Sequence, residues 1–271
     1  MKEGEKSMKK VNVLCIILLQ IFFLLSFLEA SNTKKIKNYL AEYKTLNISD
    51  ELAKSIDFGF SATTGTTDTL NINGRFRTFF KFSGLNKEML KILIDSNVFF
   101  TKSDNVKNNE EYRIDIDFEQ TLDNKWLVYD NLAWFRNTFK NYNAVFSNNI
   151  GIGYKVINDD IHSLRLKFGL GYNKEIYINE QEDKTYISLN QYIEYNKKIT
   201  TTSHFYVTIA LIENTENFSK DYEIFNIIGL NFRLSENLSF FIEEEIYFDS
   251  LNPKGDDVLD TKTMAKIGYR F

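Results

Sequence analysis

Residues 164–172 read LRLKFGLGY, and in this stretch apolar and polar side chains alternate without a break. Leucine, phenylalanine and tyrosine occupy the even positions, and arginine, lysine and glycine occupy the odd positions. A period of two residues is that of a β-strand, whose successive side chains point to opposite faces of a sheet. The stretch therefore predicts a strand with one apolar face and one face of charge and glycine.

The same alternation recurs along most of the chain. Residues 150–156 read IGIGYKV and residues 112–119 read YRIDIDFE, and each stretch separates apolar from polar side chains by parity. We predict about twelve strands of about ten residues each, the length that a tilted strand needs to cross a bilayer. The predicted strands centre on Phe58, Phe76, Val98, Ile116, Leu132, Ile152, Phe168, Leu189, Ile209, Leu230, Ile242 and Ile267.

Composition excludes several functional classes. The 33 basic and 37 acidic residues leave a formal charge of −4, which gives no support for nucleic-acid binding. The single cysteine, Cys15, and the two histidines, His162 and His204, are too few for a disulfide framework or a structural zinc site. We therefore expect no bound metal and no cofactor. A mean hydropathy of −0.31 disfavours a bundle of membrane helices but suits a barrel with a polar interior.

The first thirty residues have the pattern of a secretory signal. Lysines precede an apolar run over residues 11–28, and Ala30 supplies the small residue expected near a cleavage site. We predict that residues 1–30 are removed on export and that residues 31–54 form a polar periplasmic connector, either a short exposed helix or a disordered segment. The apolar run is also long enough to span a bilayer, so a retained anchor is the alternative.

Two features favour a membrane barrel over a soluble β-sandwich. The polar face carries much charge and glycine, which we interpret as the lining of a wet lumen. The connections also alternate in length: residues 121–125 and 234–239 form short turns, whereas residues 102–110 and 250–260 form longer and more polar connections. Outer-membrane barrels have short periplasmic turns and longer outer loops. We therefore predict an all-β fold over residues 55–271, a single antiparallel transmembrane β-barrel of about 12 strands.

Strand parity divides the side chains of this barrel between lumen and lipid. The charges assigned to the lumen are Arg75, Arg77, Lys81, Arg113, Asp115, Asp117, Glu119, Lys155, Arg165, Lys167, Arg233, Glu243, Glu245, Lys266 and Arg270. The large residues assigned to the lumen are Phe79, Tyr129, Tyr186, Tyr192, Phe225, Phe241 and Tyr247. Mixed signs predict ion pairs, such as Lys266 with Glu243 or Glu245, and a narrow lumen with weak ion selectivity. Asp130 and Glu244 fall on the outward face.

The chain ends in MAKIGYRF, in which Ile267, Tyr269 and Phe271 share the apolar parity. This ending resembles the signature that outer-membrane barrels present to their assembly machinery. We therefore expect these three residues to act as an assembly signal. The partners implied are the barrel-assembly machinery during biogenesis and the outer-membrane lipids afterwards.

Three stretches are similar to a known family. Residues 61–76 (SATTGTTDTLNINGRF), 123–137 (DNKWLVYDNLAWFRN) and 252–271 (NPKGDDVLDTKTMAKIGYRF) resemble the salt-induced outer-membrane proteins, the domain-of-unknown-function 481 family. Thr66 stands where that family usually has asparagine. The resemblance extends over residues 55–271 and implies a barrel of roughly twelve strands in the outer membrane of a Gram-negative bacterium. It implies no catalytic residues and no agreed substrate.

Three functional hypotheses follow. We favour a non-enzymatic outer-membrane barrel of envelope-stress type with an undetermined cargo, and a porin-like channel for small solutes is the alternative. An outer-membrane lipid hydrolase is disfavoured, because His162 adjoins Ser163 and Ser203 adjoins His204, so the members of each pair point to opposite faces of a strand. The sequence also has no Gly-x-Ser-x-Gly elbow.

The N-terminal pattern generates a test of processing and address. We expect the mature protein to begin near Ser31 and to fractionate with the outer membrane, because residues 1–30 carry the export signal. N-terminal sequencing of the protein from separated inner and outer membranes measures both properties. Retention of residues 11–30 in an inner-membrane fraction would contradict this prediction.

Overall fold

The computed structural model describes residues 52–63, 69–103, 106–179, 182–218, 220–250 and 258–271. The strands of this part of the chain are β1 (Leu52–Thr63), β2 (Thr69–Ser83), β3 (Met89–Ser103), β4 (Val106–Thr121), β5 (Trp126–Asn137), β6 (Tyr142–Asn158), β7 (His162–Tyr177), β8 (Lys184–Lys198), β9 (Ser203–Asn214), β10 (Tyr222–Arg233), β11 (Leu238–Asp249) and β12 (Val258–Arg270). Short 3₁₀ turns occur at Leu85–Lys87 and Thr138–Lys140. None of the described helices is long and apolar enough to cross a membrane.

The strands close into a barrel. Each strand pairs in antiparallel fashion with its neighbours in sequence, and β1 also pairs with β12. The closing ladder aligns Ser55 with Arg270, and the Phe271 N–H donates to the Lys54 carbonyl at 3.1 Å. In hydrocarbon every strand N–H and C=O needs a partner, and a closed barrel leaves no edge without one. The predicted all-β barrel is confirmed, with twelve strands.

Burial alternates along the strands in the sense opposite to that of a soluble protein. On β7, Phe168 and Leu170 are 52% and 57% exposed, whereas Arg165 and Lys167 are 6% and 7% exposed. The apolar side chains therefore form the outer surface, and the charged side chains point inward. This arrangement suits a barrel that is surrounded by lipid.

The strands are longer than predicted. All predicted strand centres lie within the strands of the barrel, but β1 has 12 residues and β6 has 17, rather than about ten. The loop predicted for residues 102–110 is mostly strand, because β3 ends at Ser103 and β4 begins at Val106. A ladder can continue beyond the hydrocarbon, since its outward side chains then meet water and can be polar. At the other end, β1 begins at Leu52, inside the connector predicted for residues 31–54.

The signal predicted for residues 1–30, and the connector before residue 52, lie outside the described residues. The boundary between connector and barrel is defined by the start of β1. There β1 starts at Leu52 rather than at Ser55, because its ladder with β2 already pairs Leu52 with Phe80.

Four short connections share one device, in which the side chain of an early turn residue caps the turn. Asp123 Oδ1 accepts hydrogen bonds at 2.7 Å from the backbone N–H groups two and three residues further on. Asp159, Thr200 and Ser235 accept equivalent bonds in the turns after β6, β8 and β10. The hydrogen bond from the backbone N–H of Trp126 lowers the pKa of the Asp123 carboxyl most, and the bond from the backbone N–H of Lys125 lowers it further. These capped turns keep the connections at one end of the barrel short.

The three residues predicted as an assembly signal lie on the outer surface. Ile267, Tyr269 and Phe271 are 53%, 50% and 57% exposed, and the rings of Tyr269 and Phe271 stack with centroids 6.4 Å apart. Their position at the short-turn end agrees with the aromatic belts of outer-membrane barrels.

Deletion of Phe271 tests the assembly signal. We expect severalfold less folded protein in the outer membrane, because the deletion removes an exposed aromatic ring and the N–H that bonds to Lys54 next to the closing ladder. Deletion of Asp256, in the connection between β11 and β12, is the control and should have a small effect. Quantitative blotting of heat-modifiable protein in outer-membrane fractions measures the difference. Equal levels for the two deletions would refute the signal.

Candidate functional site

The barrel interior is lined by ionisable side chains that solvent hardly reaches. Asp95, Asp115 and Glu194 are each 1% exposed, and Arg77 is 2% exposed. Barrels of about eight strands have interiors filled by side chains, whereas those of about sixteen enclose an aqueous channel. The low exposure of these side chains indicates an interior that is filled by side chains, as in the smaller barrels. The interior is the candidate functional site because it holds the largest group of buried charges.

Most of the charges predicted for the lumen are buried there. The buried members are Arg75, Arg77, Arg113, Asp115, Glu119, Arg165, Lys167, Glu243, Glu245 and Lys266. The large residues predicted to point inward are also buried, namely Phe79, Tyr129, Tyr186, Tyr192, Phe225, Phe241 and Tyr247. Asp117, Lys81 and Lys155 are only partly buried. The alternation of the sequence therefore identifies the inward face well.

Two arginines predicted for the lumen lie instead at its short-turn rim. Arg233 donates to the carbonyl of Thr201, and Arg270 donates to the carbonyl of Glu236, both at 3.0 Å and both in exposed positions. Each arginine has the inward parity but stands at the last residue of its strand. A long side chain at that point reaches the turn carbonyls and water, so neither arginine belongs to the buried group.

One ion-pair network extends across the lumen. Lys91 on β3 lies 3.1 Å from Glu119 on β4, and Glu119 lies 3.2 Å from Arg165 on β7. Arg165 also pairs with Glu194 on β8 at 2.5 Å, and Lys167 approaches the same carboxylate at 3.3 Å. Because β5 and β6 separate β4 from β7 in the wall, the contact between Glu119 and Arg165 crosses the interior. We call these five residues the crossing network.

A second bridge connects three other strands. The Tyr206 hydroxyl on β9 donates to the Glu243 carboxylate on β11, and Lys266 on β12 pairs with the same carboxylate. Of the two partners predicted for Lys266, Glu243 and Glu245, the structure pairs it with Glu243. Tyr206 can pass over β10 because Gly229 lies beneath its ring. A Cβ atom at Gly229 would be 2.2 Å from Cζ of Tyr206.

Other interior glycines serve the same purpose. Tyr129 covers Gly151 and Gly169, where added Cβ atoms would lie 2.7 and 2.4 Å from its hydroxyl oxygen. The Lys167 Nζ atom sits 4.1 Å from the centroid of the Tyr129 ring, in a cation–π contact. The interpretation of the inward glycines as the lining of a wet lumen was therefore wrong. These glycines make room for long side chains from neighbouring strands.

Adjacent strands add shorter ion pairs. Arg77 on β2 bonds to Asp57 on β1 at 2.5 Å. Arg75 bonds through Nε to both carboxylate oxygens of Asp95 on β3, at 2.8 and 3.0 Å. Buried charges are tolerated when they are paired and hydrogen-bonded, and removal of one partner leaves the other at high cost. The interior charges thus stabilise one another in place.

A small chamber remains in the half of the lumen away from the short turns. Its volume is about 40 Å³, and its lining includes Arg113, Asn149, Asn190, Tyr192 and Glu223. One water needs about 10–15 Å³ of such space, so the chamber has room for about three waters. Arg113 is itself held by Asp115, at 2.6 and 2.7 Å.

Sequence reasoning missed the acidic residues at the end of the lumen that lies beyond the chamber. These residues are Glu111, Glu175, Asp221, Glu223 and Asp249, each at most 7% exposed. Glu111 and Asp249 adjoin the predicted long connections at residues 102–110 and 250–260, and continuing the parity of the strands up to those connections would have found them. Tyrosine hydroxyls bond to several of these carboxylates, as with Tyr177 and Glu175 at 2.5 Å.

The two outward acids keep their predicted orientation and are hydrogen-bonded. Asp130 accepts from Asn148 Nδ2 at 2.7 Å, and Glu244 accepts from the Thr263 hydroxyl. A neighbouring polar side chain reduces the cost of placing a carboxyl in the apolar band.

The histidines do not form nucleophile–base pairs with their adjacent serines. His162 Nδ1 lies 2.8 Å from the Tyr195 hydroxyl, whereas Ser163 is buried on the opposite face. Ser203 Oγ contacts the Thr200 hydroxyl at 2.7 Å. Among the described residues, no group of three or more histidine, cysteine or acidic side chains could hold a metal ion.

Sequence comparison identifies the family of the chain. Residues 56–271 match the family described as "Protein of unknown function, DUF481". The chain belongs to this family. The resemblance of residues 61–76 and 252–271 to its members is thereby confirmed. No curated protein matches the chain in sequence.

Several solved structures have a similar fold. An outer membrane channel from Pseudomonas putida F1 superposes with a TM-score of 0.51 at 7% identity, covering 81% of this chain and 95% of that one. The NanC porin gives 0.49 at 8% identity, with coverage of 80% and 98%. The KdgM porin gives 0.43 at 12% identity, with coverage of 80% and 99%. At this identity the likeness to the channel establishes the fold alone, which is that of an outer-membrane β-barrel.

Substitution of Gly229 tests the bridge made by Tyr206. Gly229→Ala should lower the free energy of unfolding by about 1–3 kcal/mol, because the new Cβ overlaps the Tyr206 ring. Gly74→Ala is the matched control, since an added Cβ there meets nothing within 4 Å. Urea unfolding of both variants in lipid vesicles measures the difference. A Gly229→Ala barrel as stable as the Gly74→Ala barrel would contradict the close packing.

Proposed function

We propose that the protein is an outer-membrane β-barrel of a Gram-negative bacterium whose lumen is closed by buried ion pairs. The single observation that carries this proposal is the contact of Glu119 with Arg165 across the interior. Both groups are almost fully buried and belong to the crossing network, so the bond blocks the path of a solute rather than lining it. The barrel then acts as a closed envelope component, with no constitutive flow through it.

Three observations support a location in the outer membrane. The outer surface is apolar, with Phe58, Ile150 and Leu170 between 57% and 68% exposed. Residues 1–30 have the pattern of an export signal. Closure of the sheet satisfies the backbone in lipid, where an open edge would not be tolerated. These properties fit the outer membrane, which is the usual location of such barrels.

The envelope-stress part of the proposal rests on family membership. The chain belongs to a family of unknown function, and its motifs resemble salt-induced outer-membrane proteins. A barrel whose lumen is closed by ion pairs suits a protein that is made under stress, because it inserts into the membrane without opening a path for solutes. We propose no catalytic residue and no cofactor for it.

A channel for small solutes is the second candidate. It draws on the chamber of about 40 Å³, which could be one part of a path that opens in another state. The mixed signs of the crossing network do not form a single-sign filter, so such a path would select weakly between anions and cations. An open channel requires that Arg165 and Glu119 separate.

Planar-bilayer recording of the purified barrel tests the closed lumen. We expect the unchanged protein to show little conductance and weak ion selectivity. Joint replacement of Tyr129 and Tyr192 by alanine should raise the conductance severalfold, because both rings are buried in the interior and pack edge to face at 6.2 Å. Tyr172→Ala is the matched control on the outer surface, where that ring is 49% exposed.

Two outcomes would contradict the proposal. A steady, large and strongly anion- or cation-selective conductance of the unchanged protein would favour the dedicated channel. An interior double variant that conducts no more than the Tyr172→Ala control would show that these rings do not block the lumen.

A further inference from the structure

A groove lies on the outer surface of the barrel, near the end opposite the short turns. It has a volume of about 320 Å³ and is lined by Glu110, Tyr112, Trp134, Arg136 and Thr138, from β4, β5 and the 3₁₀ turn that follows. A groove of this size can hold a small molecule or the headgroup of a lipid. Tyrosine and tryptophan are the residues that outer-membrane barrels place where the lipid headgroups meet water.

Two cations on this part of the surface have no described protein partner: Arg136, which lines the groove, and Lys174 on β7, two strands away from β5. Arg136 and Lys174 are exposed, and neither forms a hydrogen bond or an ion pair with another residue in the part of the chain that the structure describes. They contrast with Arg165 and Lys167 of the interior, which are paired. Exposed cations next to aromatic rings at the membrane surface are suited to anionic headgroups.

Strand register places the two cations on one patch. Tyr112 is aligned with Arg136, Trp134 is aligned with Phe146, and Phe146 is aligned with Lys174 on β7. With strands about 4.8 Å apart and about 3.3 Å per residue along each, the backbones of Arg136 and Lys174 are about 12 Å apart. Two long side chains at that spacing can reach one phosphate, or two phosphates of a single headgroup.

The acid in the groove does not oppose an anion strongly. The Tyr112 hydroxyl donates to the Glu110 carboxylate, so that carboxylate is held against the wall. With Arg136 and Lys174 the patch has two positive charges and one negative charge. The net charge of the patch is therefore positive, and the patch lies at the membrane surface, where the lipid headgroups are.

The surface below the patch is mostly apolar, and the hydrogen-bonded pair of Asp130 and Asn148 is its polar exception. Ile114, Leu132 and Ile150, on β4, β5 and β6, are 44%, 42% and 61% exposed. A lipid whose headgroup sits against Arg136 would lay its acyl chains on these side chains. A free phosphate ion would make no use of them, so the combination of cations above and apolar surface below fits a lipid.

We propose that this patch binds the phosphate-bearing headgroup of an outer-leaflet lipid, with Arg136 and Lys174 as its phosphate ligands and Tyr112 and Trp134 as its walls. The assignment rests on the proposed location in the outer membrane, since that location decides which leaflet meets this end of the barrel. Arginine suits the role because its planar fork matches phosphate oxygens, whereas lysine contributes a point charge.

Binding of a defined lipid tests the assignment. The purified, delipidated full-length barrel is titrated in detergent with diphosphoryl lipid A, and the bound lipid is counted by native mass spectrometry. The variant Arg136→Gln/Lys174→Gln should bind roughly tenfold to thirtyfold more weakly, since each charge near the surface contributes to the attraction. Lys197→Gln/Lys198→Gln is the matched control, because it removes two exposed charges at the short-turn end of β8.

Further arms separate the sources of the phosphate. Dephosphorylated lipid A should bind the unchanged barrel and both variants equally and weakly. Inorganic phosphate should not displace diphosphoryl lipid A at millimolar concentration. Displacement by inorganic phosphate would assign the patch to a free anion and overturn the lipid assignment.

The proposal is also overturned if the Arg136→Gln/Lys174→Gln and control variants bind diphosphoryl lipid A equally well. Both substituted sites are exposed, and heat-modifiable mobility verifies that each variant is folded. The bilayer recordings are independent of this comparison. An open, selective pore would refute the closed lumen and leave the lipid result standing, and loss of lipid preference would leave the closed lumen standing.

Discussion

The hydrogen-bonding requirement of a backbone in hydrocarbon is the constraint on which this structure depends. An unpaired N–H or C=O in lipid costs several kcal/mol, so a sheet can cross only if it has no edge. The ladder between β1 and β12 meets this requirement. Closure then determines where the side chains lie, because a closed sheet has one face toward lipid and one toward a shared interior. Because successive side chains of a strand point to opposite faces, this division appears in the sequence as an alternation of apolar and polar residues.

The interior follows from the same division. Once apolar residues are committed to the lipid face, the inward positions hold charge, hydroxyl, amide and glycine. In a barrel of twelve strands these side chains are close enough to meet. A buried charge is costly without a partner, so the stable arrangement is the one that pairs Glu119 with Arg165 and Lys266 with Glu243. Glycines such as Gly229 allow these contacts to reach beyond the adjacent strand. The proposed closure of the lumen would therefore be a consequence of charge pairing at this radius.

The sequence predicts the faces of the strands better than it predicts their ends or their long-range contacts. Parity alone assigned Lys167 and Glu243 to the interior, and register in steps of two restricted Lys266 to one or two partners. The extension of β3 and β4 into residues 102–110 was not predictable from composition, because polar residues beyond the lipid form strands as readily as loops.

Contacts across the lumen were beyond prediction for a different reason. The pairing of Glu119 with Arg165 skips two strands, so it depends on the radius of the barrel and on side-chain conformation rather than on local register. The same holds for Tyr206, whose reach to Glu243 requires the glycine on the strand between them. The position of Arg233 at the rim depends on where β10 ends, which the alternation does not mark.

The recognition that we propose for this barrel takes place on its outer surface rather than in its interior. The interior charges that form the crossing network are ion-paired with one another, so a ligand there would have to break existing ion pairs before it formed its own. Arg136 and Lys174 carry no such cost, because no described residue pairs with them. A ligand phosphate replaces water alone at that patch, and the apolar surface beneath it adds burial that a soluble anion cannot use. The proposed lipid site would let a barrel with a closed lumen bind selectively, through the lipids that surround it.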